Sequence, residues 1–183
     1  MGAVSCRCGS WVYINRIFFC LGLVLINTIF SLSVRAREEG ELSREAKVKA
    51  AYVYNFLKYV EWSESIKGKG LLTICVSARD EFKTFLEQLV QNRTAAGKKL
   101  RVESLTQAAL QRCDVAYIQK NIDESLILPS ILIISNMGSP YVRESGIVLF
   151  SEDHKVKFMV DLNNVQSAGL KLSSELLKLA KLK

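Results

Sequence analysis

Between residues 71 and 160, short runs of β-forming apolar residues alternate with stretches of helical spacing, and this alternation confines the chain to the α/β class. Leu71, Leu72, Ile74 and Val76 lie in a run suited to a buried strand. Asp80 is expected to cap a helix over residues 81–91, where Phe82, Phe85, Leu86 and Leu89 are spaced to share an inner face. Gly97 breaks the chain ahead of a second strand at 100–102, and residues 105–110 suit one or two helical turns. A third strand is expected at 114–119, then a helix over 121–128 ended before Pro129, then a fourth strand at 131–135. Residues 147–150 and 156–160 read as a β-hairpin around the polar tip Ser151-Glu152-Asp153-His154-Lys155. Asp161 begins a short helix that Gly169 stops, and Ser173 or Ser174 caps a last helix through Lys181. The expected architecture is a mostly parallel sheet of five to six strands flanked by helices, with a C-terminal antiparallel hairpin.

Upstream, the spacing predicts a helix over 43–62 with Ser43 as its cap. Val48, Tyr52, Phe56 and Val60 repeat every four residues on one face, and Ala50, Val53 and Leu57 add a second apolar row. Lys47, Asn55, Lys58 and Glu61 are left on a narrow polar strip. A helix this apolar is either covered on two sides or offers one side to a partner. Residues 63–70, with two glycines, are expected to form a flexible loop.

The start of the chain has a different character. Arg7 and Arg16 are followed by an apolar run of 14 residues at 17–30, the length of a signal-peptide core and short of the roughly 20 needed to span a bilayer. Small residues follow, Ser33 and Ala36 among them, so residues 1–36 read as a cleaved signal peptide and 37–183 as one α/β domain; a retained anchor is the competing reading. Cys20 sits behind Phe18 and Phe19, where a lipobox would need small side chains. Without the leader, 22 basic and 18 acidic side chains remain, a net charge of +4, with no aromatic-interleaved basic stripe to suit nucleic acid. Export also makes the cysteines informative. Cys75 and Cys113 are the two left after the leader goes, an even pair that reads as a disulfide in an oxidising compartment, with two buried thiols as the alternative. If the first and third strands are parallel neighbours, Cys75 lies late in one and Cys113 precedes the other. Bridging within about 7 Å then requires staggered strands or a loop that carries Cys113 inward.

Catalytic patterns are scarce. His154, the single histidine, falls at the hairpin tip beside Glu152 and Asp153, where an exposed turn residue is expected; a Ser-His-Asp site would need it buried and oriented. Three Cys and His residues outside the leader are too few for structural zinc, and neither a metal nor a cofactor is expected. The turn Ser77-Ala78-Arg79-Asp80 has no glycine to bring backbone against a pyrophosphate. Ligands of open α/β sheets favour the carboxyl ends of strands, so Ser77, Arg79, Asp80, Ser135 and Asn136 are expected near one such crevice. Arg79 and Asp80 are its candidate ligand-binding residues, against the plainer readings of a solvated side chain and a helix cap.

The run Lys49-Ala50-Ala51-Tyr52-Val53-Tyr54-Asn55-Phe56-Leu57-Lys58-Tyr59-Val60-Glu61-Trp62 resembles the opening helix of the YfiR family. Leu72-Thr73-Ile74-Cys75-Val76 and Arg112-Cys113-Asp114-Val115-Ala116-Tyr117-Ile118 are similar to its first and third strands. Residues 156–162 and 168–177 resemble its closing pattern. The resemblance implies a Rossmann-like sheet, a periplasmic location and no enzymatic activity. It implies repression of a membrane-bound diguanylate cyclase through the cyclase's periplasmic sensor domain, with an outer-membrane lipoprotein as a further partner; a homodimer is a separate expectation that the resemblance does not carry. It also places Cys75 and Cys113 on positions that pair in the family. A second cysteine pair that some relatives carry around the closing hairpin is missing here. Lys58, Glu61 and Trp62, with Lys171 and Ser173, are the expected partner contacts. The other reading is a small-ligand-binding accessory component of a different sensor or transport system.

Overall fold

The computed structural model describes residues 42–126 and 130–183. The signal peptide expected at 1–36 lies outside the described residues. Helix α1 (Arg44–Phe56) starts where the Ser43 hydroxyl accepts the Ala46 amide at 3.2 Å. It stops six residues short of the expected end at Trp62. The amides of Lys58 and Tyr59 donate to carbonyls three residues back, at Asn55 and Phe56, and tighten the last turn. The β-favouring residues that follow run extended as β1 (Val60–Glu61), antiparallel to β9 (Lys171–Leu172). The helix also turns its second apolar row inward. Ala50, Val53 and Leu57 are at 0% exposure, whereas Val48 is 39% exposed and Tyr52 half-buried.

The remaining elements run α2 (Glu64–Lys67), β2 (Leu71–Ser77), α3 (Asp80–Val90), β3 (Thr94–Ala95), β4 (Lys98–Ser104), α4 (Gln107–Leu110), β5 (Val115–Ile118), β6 (Leu132–Asn136), β7 (Ile147–Glu152), β8 (Lys155–Val160), α5 (Leu162–Ser167), α6 (Ser174–Leu177) and β10 (Lys181–Leu182). Single 3₁₀ turns lie at Glu124–Leu126 and Pro140–Val142. In place of the helix expected over 121–128, the described part carries the first of these turns, and 127–129 lie outside the described residues. The expected loop at 63–70 contains one helical turn, and the expected helix through Lys181 ends at Leu177. Asp80 is the first residue of α3 and not its cap; Arg79 takes the cap position without a side-chain bond.

Eight strands form one mixed sheet in the order β10-β8-β7-β6-β5-β2-β4-β3. Neighbours from β7 through β4 are parallel, whereas β7–β8 and β3–β4 are antiparallel. The chain is α/β as expected, but the sheet is larger and more mixed than the five to six mostly parallel strands foreseen. The strands missed in sequence, β3 and β10, are two residues long and too short to show a period of two. At the β7–β8 turn Asp153 and His154 both have positive φ, as a type I′ hairpin turn requires.

Strand alternation divides the core between the two faces of the sheet. Leu72, Ile74, Tyr117, Ile134 and Leu149 join Phe56, Leu57, Phe82 and Leu86 of α1 and α3 in the larger cluster. Cys75, Ala116, Ile118 and Ile133 join Leu105, Leu110, Cys113 and Tyr141 in the smaller one.

Candidate functional site

The β1–β9 ribbon brings together two segments more than a hundred residues apart. Val60 faces Leu172 and Glu61 faces Lys171 across it, and the Ser173 amide donates to the Tyr59 carbonyl at 2.9 Å. Alternation decides which side chains are available. Val60, Trp62 and Leu172 point into the core at 4%, 4% and 8% exposure, while Glu61 and Lys171 point out. Opposite charges set directly across an antiparallel pair support its register.

Of the five expected contact residues, Glu61 and Lys171 therefore share one surface of the ribbon, and Trp62 does not. Its ring is part of the large cluster, and its Nε1 has no hydrogen-bond partner among the described residues. Reading residues 43–62 as one helix hid the strand parity that buries it. Lys58 is exposed beside the ribbon. Its ammonium donates to Asn55 Oδ1 at 2.9 Å and lies 4.2 Å from the centre of the Tyr54 ring, a cation–π distance. Ser173 is half-buried and caps α6, its hydroxyl accepting the Leu176 amide at 3.3 Å. Tyr59, at 37% exposure, adds an aromatic edge that the helix expectation had concealed. The result is a charged, partly aromatic surface on a short ribbon backed by core residues.

Cys75 and Cys113 are joined by a disulfide with Cα atoms 5.7 Å apart. The strands are not staggered in the way that would align the two cysteines, since Cys75 pairs with Ala116. Cys113 instead sits on the loop after α4, its amide bonded to the Leu110 carbonyl at 3.2 Å, and this loop folds beneath the smaller face. Next to it, the buried Asp114 carboxylate accepts the Thr73 amide at 2.9 Å and the Lys69 ammonium at 2.9 Å. Cys113, Asp114, Lys69 and Gln111 line a shallow groove of about 500 Å³.

The residues expected at the strand-end crevice differ in how accessible they are. Arg79 and Asp80 are both exposed at the end of β2, where the Ser77 carbonyl accepts the amides of Gln119 (2.8 Å) and Lys120 (3.0 Å) that follow β5. Ser135 is wholly buried, its hydroxyl bonded to Ser145 at 2.7 Å. Asn136 bonds the Tyr117 hydroxyl at 3.2 Å, and burial pushes that phenol up to about 12, so it stays a neutral hydrogen-bonding group. His154 is exposed at the hairpin tip. Among the described residues, no group of three or more His, Cys, Asp or Glu could hold a metal ion, and no helix is long and apolar enough to cross a membrane.

No match is found among curated proteins. A crystal structure of a conserved domain protein from Vibrio cholerae aligns over 78% of this chain at 12% identity and a TM-score of 0.47. The chain spans 60% of the length of that protein. The family model described as YfiR/HmsC-like matches residues 46–181, a span that takes in all but the first two residues of α1, the ribbon, both bridged cysteines and all but the last residue of β10. By that match the chain belongs to the YfiR/HmsC-like family.

Proposed function

We propose that the protein is a periplasmic regulator which binds the periplasmic sensor domain of an inner-membrane diguanylate cyclase and holds its output low. Residues 1–36 act as the export leader, and the Cys75–Cys113 bridge suits the oxidising space beyond the membrane. Membership of a regulatory, non-catalytic family supports this reading. The observation that carries it is the ribbon, where Glu61 and Lys171 share an exposed surface, with Lys58 exposed two residues before β1, while Val60, Trp62 and Leu172 anchor it from below. Ser173 contributes by holding β9 against β1 and capping α6.

The mechanism is a population shift. A regulator that binds one conformation of its sensor better than another moves the equilibrium only by that difference in affinity. A mixed polar and aromatic rim over a fixed apolar base is the composition of a reversible interface.

Two experiments test the reading. Deleting the gene should raise cyclic-di-GMP in the source bacterium, and an unchanged level would remove the cyclase from the account. Reversing both ribbon charges, Glu61→Lys with Lys171→Glu, should leave the melting temperature within a degree or two, since exposed substitutions cost about 0.5 kcal/mol or less. The same pair should weaken capture of the cyclase's periplasmic domain by at least about tenfold, an effect typical of interface contacts worth roughly 1.4 kcal/mol. Unchanged capture would move the interface elsewhere.

A further inference from the structure

The outer edge of β8 is only partly covered. β10 pairs with β8 at Met159 and Val160 and goes no further, so residues 155–157 have no strand on this outer side among the described residues. The exposed backbone groups can be identified. Lys183 donates to the Val160 carbonyl at 3.0 Å on the β10 side, and alternate carbonyls of a strand point the same way. The Val156 carbonyl therefore also faces outward, where it accepts the Tyr52 hydroxyl at 3.2 Å and keeps a second lone pair.

Two grooves run along this edge. One, of about 700 Å³, lies between the start of α1 and the hairpin tip and is lined by Arg44, Val48, His154, Lys155 and Val156. The other, of about 440 Å³, lies toward β10 and is lined by Tyr52, Phe158, Leu179 and Lys181. They meet at Val156, which lines both. Their apolar floor is incompletely buried: Val48 is 39% and Leu179 77% exposed. Val48 and Tyr52 begin the apolar row of α1 that reaches full burial only at Phe56, with Val48 exposed and Tyr52 half-buried.

The rim is basic. Arg44, His154, Lys155 and Lys181 are exposed there, with Asp153 beside them at the hairpin tip. The two nearby glutamates are already engaged, Glu45 by Lys49 and Ser151 and Glu152 by Lys157.

We propose that the outer edge of β8 and its two grooves form a second docking surface, which takes an extended acidic segment of a partner protein as an added strand. The segment continues the line that β10 begins, and its backbone bonds the outward-facing amides of Val156 and Phe158. Apolar side chains on one side enter the grooves over Val48, Tyr52 and Leu179, and carboxylates meet Arg44, Lys155 and Lys181. Edge lysines also discourage indiscriminate strand pairing, and this selects for an acidic strand over a neutral one. The surface lies on a different strand pair from the ribbon, so the two proposals stand or fall separately.

The test uses the ¹⁵N-labelled full chain and an end-blocked peptide of alternating glutamate and valine, seven residues long, with a lysine–valine peptide as control. The glutamate peptide is expected to shift the amides of Val156 and Phe158 saturably and to slow their hydrogen exchange. Its affinity should fall several-fold between about 50 and 200 mM salt. Arg44→Glu combined with Lys155→Glu should weaken binding at least about tenfold while the remaining amide spectrum stays in place. Leu179→Ser, a conservative probe of the groove floor, should weaken it less. No saturable shift at about 1 mM peptide, equal binding of the lysine peptide, or shifts confined to Glu61 and Lys171 would each overturn the proposal.

Discussion

On one face of the sheet two helices lay Phe56, Leu57, Phe82 and Leu86 over apolar strand residues; on the other, the cover is one turn of helix, two 3₁₀ turns, loops and a disulfide. The same strands serve both faces, since Ile74 and Tyr117 point one way and Cys75 and Ala116 the other. A long amphipathic helix buries a wide apolar stripe and needs no further fastening. The short segments of the smaller face bury less and leave more chain to order, so a covalent tie takes over part of the task. Rigidity on the first face and a staple on the second are two ways of holding one sheet.

The largest expected effect lies on the helical face. Phe82 is 1% exposed and stacks on Tyr117 with ring centres 4.6 Å apart. Phe82→Ala should cost about 4 kcal/mol, through lost burial and the cavity left behind. Chemical denaturation would read it as a lower midpoint with an unchanged slope. A loss below about 2 kcal/mol would show that α3 can collapse onto the sheet, and the contrast between the faces would weaken.

Next comes the staple. Cys75 and Cys113 are separated by 38 positions, and opening a loop of that size should cost about 3 kcal/mol, a little under the chain-entropy limit. Cys75→Ala with Cys113→Ala should therefore lower the denaturation midpoint. Hydrogen exchange should quicken first around residues 105–118, while amides of α3 keep their protection. Equal loss of protection on both faces would mean that the bridge supports the whole sheet and not its weaker side.

The division between the faces was readable in sequence in part. The long apolar runs gave β2, β5, β6 and the hairpin because a buried parallel strand needs an unbroken apolar stretch. Phe82 and Leu86 were placed on the inner face of α3 by spacing alone. What sequence could not give was set by tertiary contact. Val60 and Trp62 suit a helix by periodicity, yet pairing with Lys171 and Leu172 draws the segment into a strand and so decides that Trp62 is buried and Glu61 exposed. The site was legible as a set of residues and not as a surface. Around Arg79 and Asp80, the hydrogen bonds from the Gln119 and Lys120 amides to the Ser77 carbonyl are likewise tertiary, and no local pattern ties those residues to β2.

The smallest effect concerns how the helical face is finished where β8 ends. Asp161 caps α5, accepting the amides of Asn163 at 3.1 Å and Asn164 at 3.2 Å, and pairs with Lys183 at 3.1 Å. Its helix contributes Val165 to the large cluster, so a polar cap secures part of the apolar cover. Burial works against the charged form, but the Lys183 ammonium and the two amides outweigh it and hold the carboxyl below the usual carboxylate range. A carboxyl whose folded value lies below its unfolded one adds stability above the unfolded value, and this is lost as pH falls through the folded value. Asp161→Ala should therefore cost about 1 kcal/mol at neutral pH, the usual worth of an N-cap. The cost should shrink as the solution is acidified below the ordinary aspartate range, and Asp161→Asn, which keeps an acceptor without the charge, should recover part of it. Melting temperatures of the three proteins across that range measure both. A cost that stays constant on acidification would assign the role of Asp161 to shape and remove its charge from the account.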